Sequence, residues 1–151
     1  MGFDAHAFSD DPRRPLLLGG VRIEGPGLAG HSDADVIAHA VADALLGAAG
    51  LGDLGQHFPD TDPAWAGADS VELLRKVAAL VVGAGWRVEN VDCAVVLEAP
   101  KLAPHRDEMQ RRLTEAARGE VTVRAKRPEG LGALGRGEGV ACWAVALLDR
   151  V

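Results

Sequence analysis

The chain has 151 residues, enough for one domain of ordinary size and too few for two. Apolar residues make up 48% and charged residues 25%, a globular balance, but aromatics are only 4%, so the core has to come from Leu, Val and Ala. Sixteen Lys/Arg against 22 Asp/Glu give a net charge of −6, which argues against a nucleic-acid or anionic-membrane surface. No apolar run reaches membrane-spanning length, and no signal-peptide pattern opens the chain.

Taken in chain order, Phe3 to Phe8 alternates as a strand. Leu16–Leu18 and Val21–Ile23 read as a hairpin across Gly19-Gly20, because tight hairpin turns need positive φ. Glu24 to Gly30 is a loop. Ser32 to Ala49 has helical apolar spacing (Val36, Ile37, Ala40, Val41, Ala44, Leu45, Ala48), with Ser32 and Asp35 resembling a capping box and Gly50 and Gly52 ending it. Gly52 to Gly67 is a loop with three Asp, two Pro and three Gly. Ser70 to Val82 is a second amphipathic helix, closed by Gly83 and Gly85. Trp86 to Leu97 is β-rich, read as two segments broken near Asn90. Pro104 to Arg118 is a third helix with a basic face, capped by Gly119. Val121 to Ala125 is a strand, Pro128 to Gly139 a Gly-rich loop, and Val140 to Leu148 a final strand.

No repeat, low-complexity segment or linker interrupts this order, so residues 1–151 read as a single α/β layer domain with its sheet covered on one face. The two long loops are places to look for function. Cys93 and Cys142 are too few for a disulfide framework and read as buried free thiols of a cytoplasmic protein.

Charge is unevenly spread. Residues 1–62 hold ten acids against three Arg, and residues 101–127 hold eight Lys/Arg against four acids, so one part suits a metal ion and the other an anion. Asp4 and His6, two apart on a strand, share a face. With His39 from the first helix they make a three-ligand set for Zn²⁺ with an open fourth position, although Asp-x-His by itself reads equally well as an exposed strand end. Asp43, one turn beyond His39, is placed to hold that ring's second nitrogen. His31 and Ser32 stand where a helix start would favour phosphate.

In the loop after Gly52, Asp53-Leu54-Gly55 and Phe58-Pro59-Asp60-Thr61-Asp62 suit the hydroxyls of a polyol, or serve as plain turn chemistry. His57 reads as a surface residue. Ala99-Pro100-Lys101-Leu102-Ala103 is a stiff loop able to present backbone groups to a base. Arg124, Lys126 and Arg127 suit a diphosphate, and Glu129 suits Mg²⁺ or Mn²⁺. Five glycines between Gly130 and Gly139, around Arg136 and Glu138, permit close backbone approach to a partner or ligand.

Read together, Gly2-Phe3-Asp4-Ala5-His6, Gly30-His31-Ser32-Asp33-Ala34-Asp35-Val36 through His39, Leu51-Gly52-Asp53-Leu54-Gly55, Phe58-Pro59-Asp60-Thr61-Asp62-Pro63, Ala99-Pro100-Lys101, Glu129-Gly130-Leu131-Gly132 and Gly135-Arg136-Gly137-Glu138-Gly139 resemble the 2-C-methyl-D-erythritol 2,4-cyclodiphosphate synthase family, in order over essentially the whole chain. The resemblance implies an α+β sandwich: a mixed four-stranded sheet with helices on one face plus a small hairpin, assembling as a homotrimer with active sites between subunits. It implies a lyase of the non-mevalonate isoprenoid pathway that converts 4-diphosphocytidyl-2-C-methyl-D-erythritol 2-phosphate to the cyclic diphosphate and CMP.

By the same resemblance, Asp4, His6 and His39 match zinc ligands and Glu129 matches the ligand of Mg²⁺ or Mn²⁺ on the diphosphate. His31 and Arg127 take the catalytic positions. Substrate contacts fall on Asp4, His6, His31 and Ser32, on Asp53, Leu54 and Gly55, and on Phe58, Pro59, Asp60, Thr61 and Asp62. Leu97, Glu98, Ala99, Pro100, Lys101, Leu102 and Ala103 match the cytidine pocket, and Lys126, Arg127, Pro128, Glu129, Ala133 and Arg136 complete the set. Arg136 and Glu138 match residues of the trimer axis, where some members bind an isoprenoid diphosphate. No nucleic-acid or membrane partner is implied.

The chain departs from the family pattern in three places. The family usually carries more residues before Gly2, implying a shortened first strand. Lys126-Arg127-Pro128 stands where a Thr-rich run is usual, and Ala133 stands where a bulky apolar residue is common. Two other functions fit parts of the pattern: a non-catalytic binding protein on the same fold, and a metal-dependent phosphohydrolase using water.

Overall fold

The structure, a computed structural model, describes residues 1–151. Its strands are β1 (Gly2–Ala7), β2 (Leu16–Leu18), β3 (Val21–Ile23), β4 (Trp86–Val96), β5 (Glu120–Lys126) and β6 (Gly139–Arg150). Its helices are α1 (Val36–Ala49), the single turn α2 (Leu54–His57), α3 (Ser70–Gly83), α4 (Arg106–Ala117) and the single turn α5 (Gly132–Gly135). The sheet order is β1-β6-β4-β5, with β4 and β5 parallel and the other pairs antiparallel. Strands β2 and β3 form the separate hairpin read from Gly19-Gly20. The alternation of helical and β-rich segments leads to a sheet covered on one face, and the mixed four-stranded sheet with its separate hairpin is the α+β architecture that the resemblance implies.

Helices α1, α3 and α4 cover one face of the sheet. Apolar residues on alternate positions of β4, β5 and β6 (Val91, Cys93 and Val95; Val121 and Val123; Val140, Cys142 and Ala144) meet Ile37, Val41, Leu45, Leu74, Val77, Met109 and Leu113 in one cluster of 33 buried residues. The thiols of Cys93 and Cys142 are buried there and unbridged. No helix is long and apolar enough to cross a membrane.

Three local expectations are corrected. Helix α1 starts at Val36, not Ser32, because Ala34 has a left-handed φ of 58° and breaks the run. The N-cap is Asp35, which accepts from the N–H groups of Ile37 and Ala38. Strand β4 is continuous, and the irregularity near Asn90 is a register shift between Val88 and Asn90 against β6, not a break. At the end of α4 the left-handed residue is Arg118, not Gly119. Gly119 is small for a different reason: a Cβ there would lie 2.6 Å from the Val88 carbonyl oxygen.

The long loops contain short ordered turns. Asp53 caps α2 by accepting from Gln56 N–H, and Asp62 caps a 3₁₀ turn at Pro63–Trp65. The loop after the hairpin runs beside the end of β1, where Ala29 N–H donates to the Ala7 carbonyl (2.8 Å).

Gly2 brings the sheet to the helix at the place that matters most. A Cβ at this position would lie 2.1 Å from the Ala40 carbonyl oxygen, so any larger residue would push β1 off α1. Asp4 and His6 follow Gly2 on the same face, and His39 precedes Ala40. One close backbone contact therefore sets the distance between the strand ligands and the helix ligand.

Candidate metal centre and substrate pocket

Three side chains, two from β1 and one 35 residues beyond the first, converge. Asp4 Oδ2 lies 2.9 Å from His6 Nε2 and 2.9 Å from His39 Nδ1. These donor atoms all lie within 4.8 Å of one another, the one such cluster in the chain. The far side of each ring is held. His6 Nδ1 donates to the Ala29 carbonyl (2.7 Å), and His39 Nε2 lies 2.8 Å from Ser70 Oγ and 3.2 Å from Ser32 Oγ.

The residues fit a metal ion by their proton positions. A carbonyl oxygen only accepts, so His6 carries its proton on Nδ1 and turns a bare Nε2 toward Asp4. That Nε2 is buried and has no hydrogen-bond partner. A lone pair facing a carboxylate in a half-buried pocket calls for a cation between them. When a proton takes that place, Asp4 raises the His6 pKa above its ordinary value, against the opposing effect of burial. Burial acts to raise the Asp4 carboxyl, but His39 and His6, when they carry a proton toward it, outweigh burial and hold Asp4 well below the usual carboxylate range.

The expected role of Asp43 is corrected. Its carboxylate accepts from Leu54 N–H (3.0 Å) and leaves the second nitrogen of His39 to Ser70. Ser70 carries no sequence signal for this contact, since read alone it is just the first residue of a helix.

A pocket of about 280 Å³ opens on the cluster. Asp4, His6, His31, Ser32, His39, Leu54, Phe58 and Asp60 line it, together with Gly30, Trp65 and Leu73. Trp65 and Leu73 carry no motif; Trp65 enters through an edge-on stack with Phe58 (5.0 Å) and carries Lys76 over its ring. His31 Nε2 donates to the Asp62 carbonyl (3.0 Å) on the irregular stretch before α1, not at a helix start. Ser32 caps nothing at the helix; its Oγ accepts from Ala34 N–H and faces His39. Beside this pocket, Phe3, Asp43, Asp53 and Gly55 line a second one of about 360 Å³ that shares Asp4, His39 and Leu54. Pro59, Thr61 and Asp62 line neither pocket, and His57 is half-buried with its Nε2 donating to the Leu51 carbonyl.

The remaining predicted residues lie elsewhere. None of residues 97–103 or 126–136 lines either pocket. Arg127 pairs with Glu98 (2.6 Å), and Gly130 N–H donates to the other oxygen of Glu98. That pairing holds the Glu98 carboxyl low and the Arg127 guanidinium high. Glu98, Ala99, Pro100 and Arg136 line a separate pocket of about 410 Å³. Leu97 and Leu102 are buried in the core, so they offer a ligand their backbone alone. Lys101, Ala103, Lys126, Glu129 and Ala133 are exposed, Pro128 is half-buried, and Arg136 is paired with Glu138 (3.0 Å).

Residues 1–149 match the model of the YgbB family. The chain is 56% identical to the bifunctional enzyme IspD/IspF of Anaeromyxobacter sp. (strain Fw109-5), over 100% of this chain and 39% of that protein, so it spans about two-fifths of that relative's length. It is 54% identical to the 2-C-methyl-D-erythritol 2,4-cyclodiphosphate synthase of Thermosynechococcus vestitus, over 98% of this chain and 93% of that protein. Among solved structures, the IspF–CDP complex of Plasmodium falciparum superposes with a TM-score of 0.85 at 30% identity, covering 99% of this chain and 93% of that one.

Proposed function

The chain belongs to the YgbB family, and from that premise we propose that it converts 4-diphosphocytidyl-2-C-methyl-D-erythritol 2-phosphate to 2-C-methyl-D-erythritol 2,4-cyclodiphosphate and CMP, as a lyase of the non-mevalonate isoprenoid pathway. The observation that carries this reading is the convergence of Asp4 Oδ2, His6 Nε2 and His39 Nδ1, with the His6 lone pair left bare. Whole-length identity to a synthase of the same size supports it.

The substrate's 2-phosphate attacks its own β-phosphorus and CMP leaves. An intramolecular in-line transfer needs positioning and charge neutralisation, not a protein nucleophile. Asp4, His6 and His39 would hold zinc, which when bound supplies Lewis-acid polarisation of a phosphate oxygen. His31 and Ser32 border the same pocket and meet the phosphate. Asp53, Leu54 and Gly55 stand on its other flank, where the exposed Asp53 carboxylate suits the erythritol hydroxyls. Phe58 and Asp60 close the side, and Asp62 holds His31 through its carbonyl; Pro59 and Thr61 complete the turn between them.

Residues Leu97 to Ala103 receive the cytidine, and the CDP in the P. falciparum complex favours that ligand class. Lys126, Arg127 and Pro128, with Ala133 and Arg136 nearby, face the diphosphate. Arg127, held by Glu98, takes the place of a neutral hydroxyl donor. Glu129 has no ion-pair partner, and a single carboxylate suits Mg²⁺ or Mn²⁺, which keeps most of its coordination for water and phosphate.

The metal pocket and the 97–103 and 126–136 segments lie apart in one chain, and the uncovered sheet face carries Phe3, Trp143, Val145 and Leu147. Both features favour a homotrimer in which the neighbour completes each site. Arg136 and Glu138 would then border the axis, where an isoprenoid diphosphate fits. Free thiols at Cys93 and Cys142 favour a cytoplasmic location.

The test is His39→Ala alongside Asp4→Asn. Both variants are expected to lose zinc and turnover together. Full turnover in a zinc-free His39→Ala protein would overturn the reading.

A further inference from the structure

Behind His39 lies a short line of polar groups. Ser70 Oγ sits 2.8 Å from His39 Nε2 and donates to Asp33 Oδ1 on its other side. Ser70 is 1% exposed. Asp33 also accepts from Asp35 N–H at Oδ1 and from Ser70 N–H at Oδ2, both at 3.1 Å. Every bond made by the Asp33 carboxylate is one that it accepts.

The direction of the protons follows. A hydroxyl has one proton, and Ser70 gives it to the carboxylate. Ser70 Oγ therefore has only lone pairs to offer His39, so His39 Nε2 must carry the proton and Nδ1 must be bare. Ser32 Oγ, at 3.2 Å from the same Nε2, accepts from Ala34 N–H and is the weaker of the two supports. We propose that Asp33 and Ser70 are positioning residues that fix His39 in the tautomer whose free Nδ1 faces Asp4 and His6. This rests on the metal-centre reading above. It adds two residues that touch neither substrate nor metal and whose work is to set the proton on a third.

The line behaves as a chain with a sense, which makes it testable apart from ordinary packing. A side chain at position 33 with no acceptor frees the Ser70 proton. In Asp33→Ala Ser70 turns that proton to His39 Nε2, and the ring is then driven to carry its proton on Nδ1, the wrong side. In Ser70→Ala that inversion cannot be transmitted, and Ser32 still accepts from Nε2. Asp33→Ala should therefore harm metal binding more than Ser70→Ala, and the double variant should resemble Ser70→Ala.

The experiment is zinc affinity, by competition with a chromophoric chelator, for wild type, Asp33→Ala, Ser70→Ala, Ser70→Thr and the double variant, each checked for folding by circular dichroism. A lost orienting partner of a metal-bound His costs about 10- to 100-fold in affinity. Asp33→Ala is expected toward the upper end of that range, Ser70→Ala toward the lower, the double variant equal to Ser70→Ala, and Ser70→Thr close to wild type. Wild-type affinity in folded Asp33→Ala, or losses that multiply in the double variant, would overturn the proposal and leave the metal centre standing. A wild-type protein that binds no zinc would overturn both.

Discussion

At Asp4 two imidazole nitrogens meet one carboxylate oxygen, and the site's response to pH follows from what sits between them. Without a metal ion a proton does, because Asp4 raises the His6 pKa above the ordinary histidine value. The sign is set by competition. Below that raised value the metal-free protein is stabilised by protonated His6 beside Asp4, and this stabilisation is lost as pH rises through it; zinc binding must displace the same proton and strengthens as it leaves. The gap in Tm between zinc-loaded and metal-free protein should widen from pH 6 to pH 8; a gap that narrows would contradict a shared site. Asp4, His6 and His39 were legible in the sequence because strand period and helix placement put them on facing surfaces. Ser70 and the true position of Asp43 were not, since nothing in local spacing reports which hydroxyl a folded helix start will present to a ring 31 residues away.

Among the elements, the start of α1 anchors the layout. Asp35 is fully buried and accepts from four N–H groups: Ile37 and Ala38 in α1, and Gly19 and Gly20 in the β2–β3 turn. One carboxylate thus caps the helix and pins the hairpin to it. Asp35→Ala strands the buried Gly19 donor and the half-buried Gly20 donor and removes the cap, and should lower unfolding free energy by roughly 3 kcal/mol in urea melts; a loss under about 1 kcal/mol would show that water replaces it. The sequence pattern located this helix well at its C-terminal end, where Gly50 takes the left-handed position (φ 71°), and misread its start. Ser32, Asp33 and Asp35 all belong to the residue types that cap helices, and only the left-handed turn at Ala34 selects among them. The hairpin and β6 read cleanly because turn chemistry and alternation are local. The bulge in β4 and the ordered turns inside the acidic loop depend on neighbours distant in sequence.

At the scale of the whole molecule, the sheet has one face under three helices and one without cover. Phe3 and Trp143 pair across β1 and β6 with ring centroids 4.9 Å apart, and Val145 and Leu147 continue the stripe at 56% and 60% exposure. The proposed trimer buries this stripe and brings a neighbour's 97–103 and 126–136 segments to the metal pocket, a division of the site between chains that a one-chain sequence pattern cannot display. Trp143→Glu with Leu147→Glu should reduce the assembly from three chains to one by light scattering and remove turnover. Zinc affinity should fall far less, since one chain supplies all three ligands. An active monomer would contradict the shared site. Attack by the substrate's own phosphate is tested by running the reaction with Mg²⁺ in ¹⁸O-labelled water and following the products by ³¹P NMR and mass spectrometry. CMP with a cyclic diphosphate free of ¹⁸O is expected. A linear product carrying ¹⁸O would make the protein a phosphohydrolase, and absence of CMP would make it a binding protein; either contradicts internal attack.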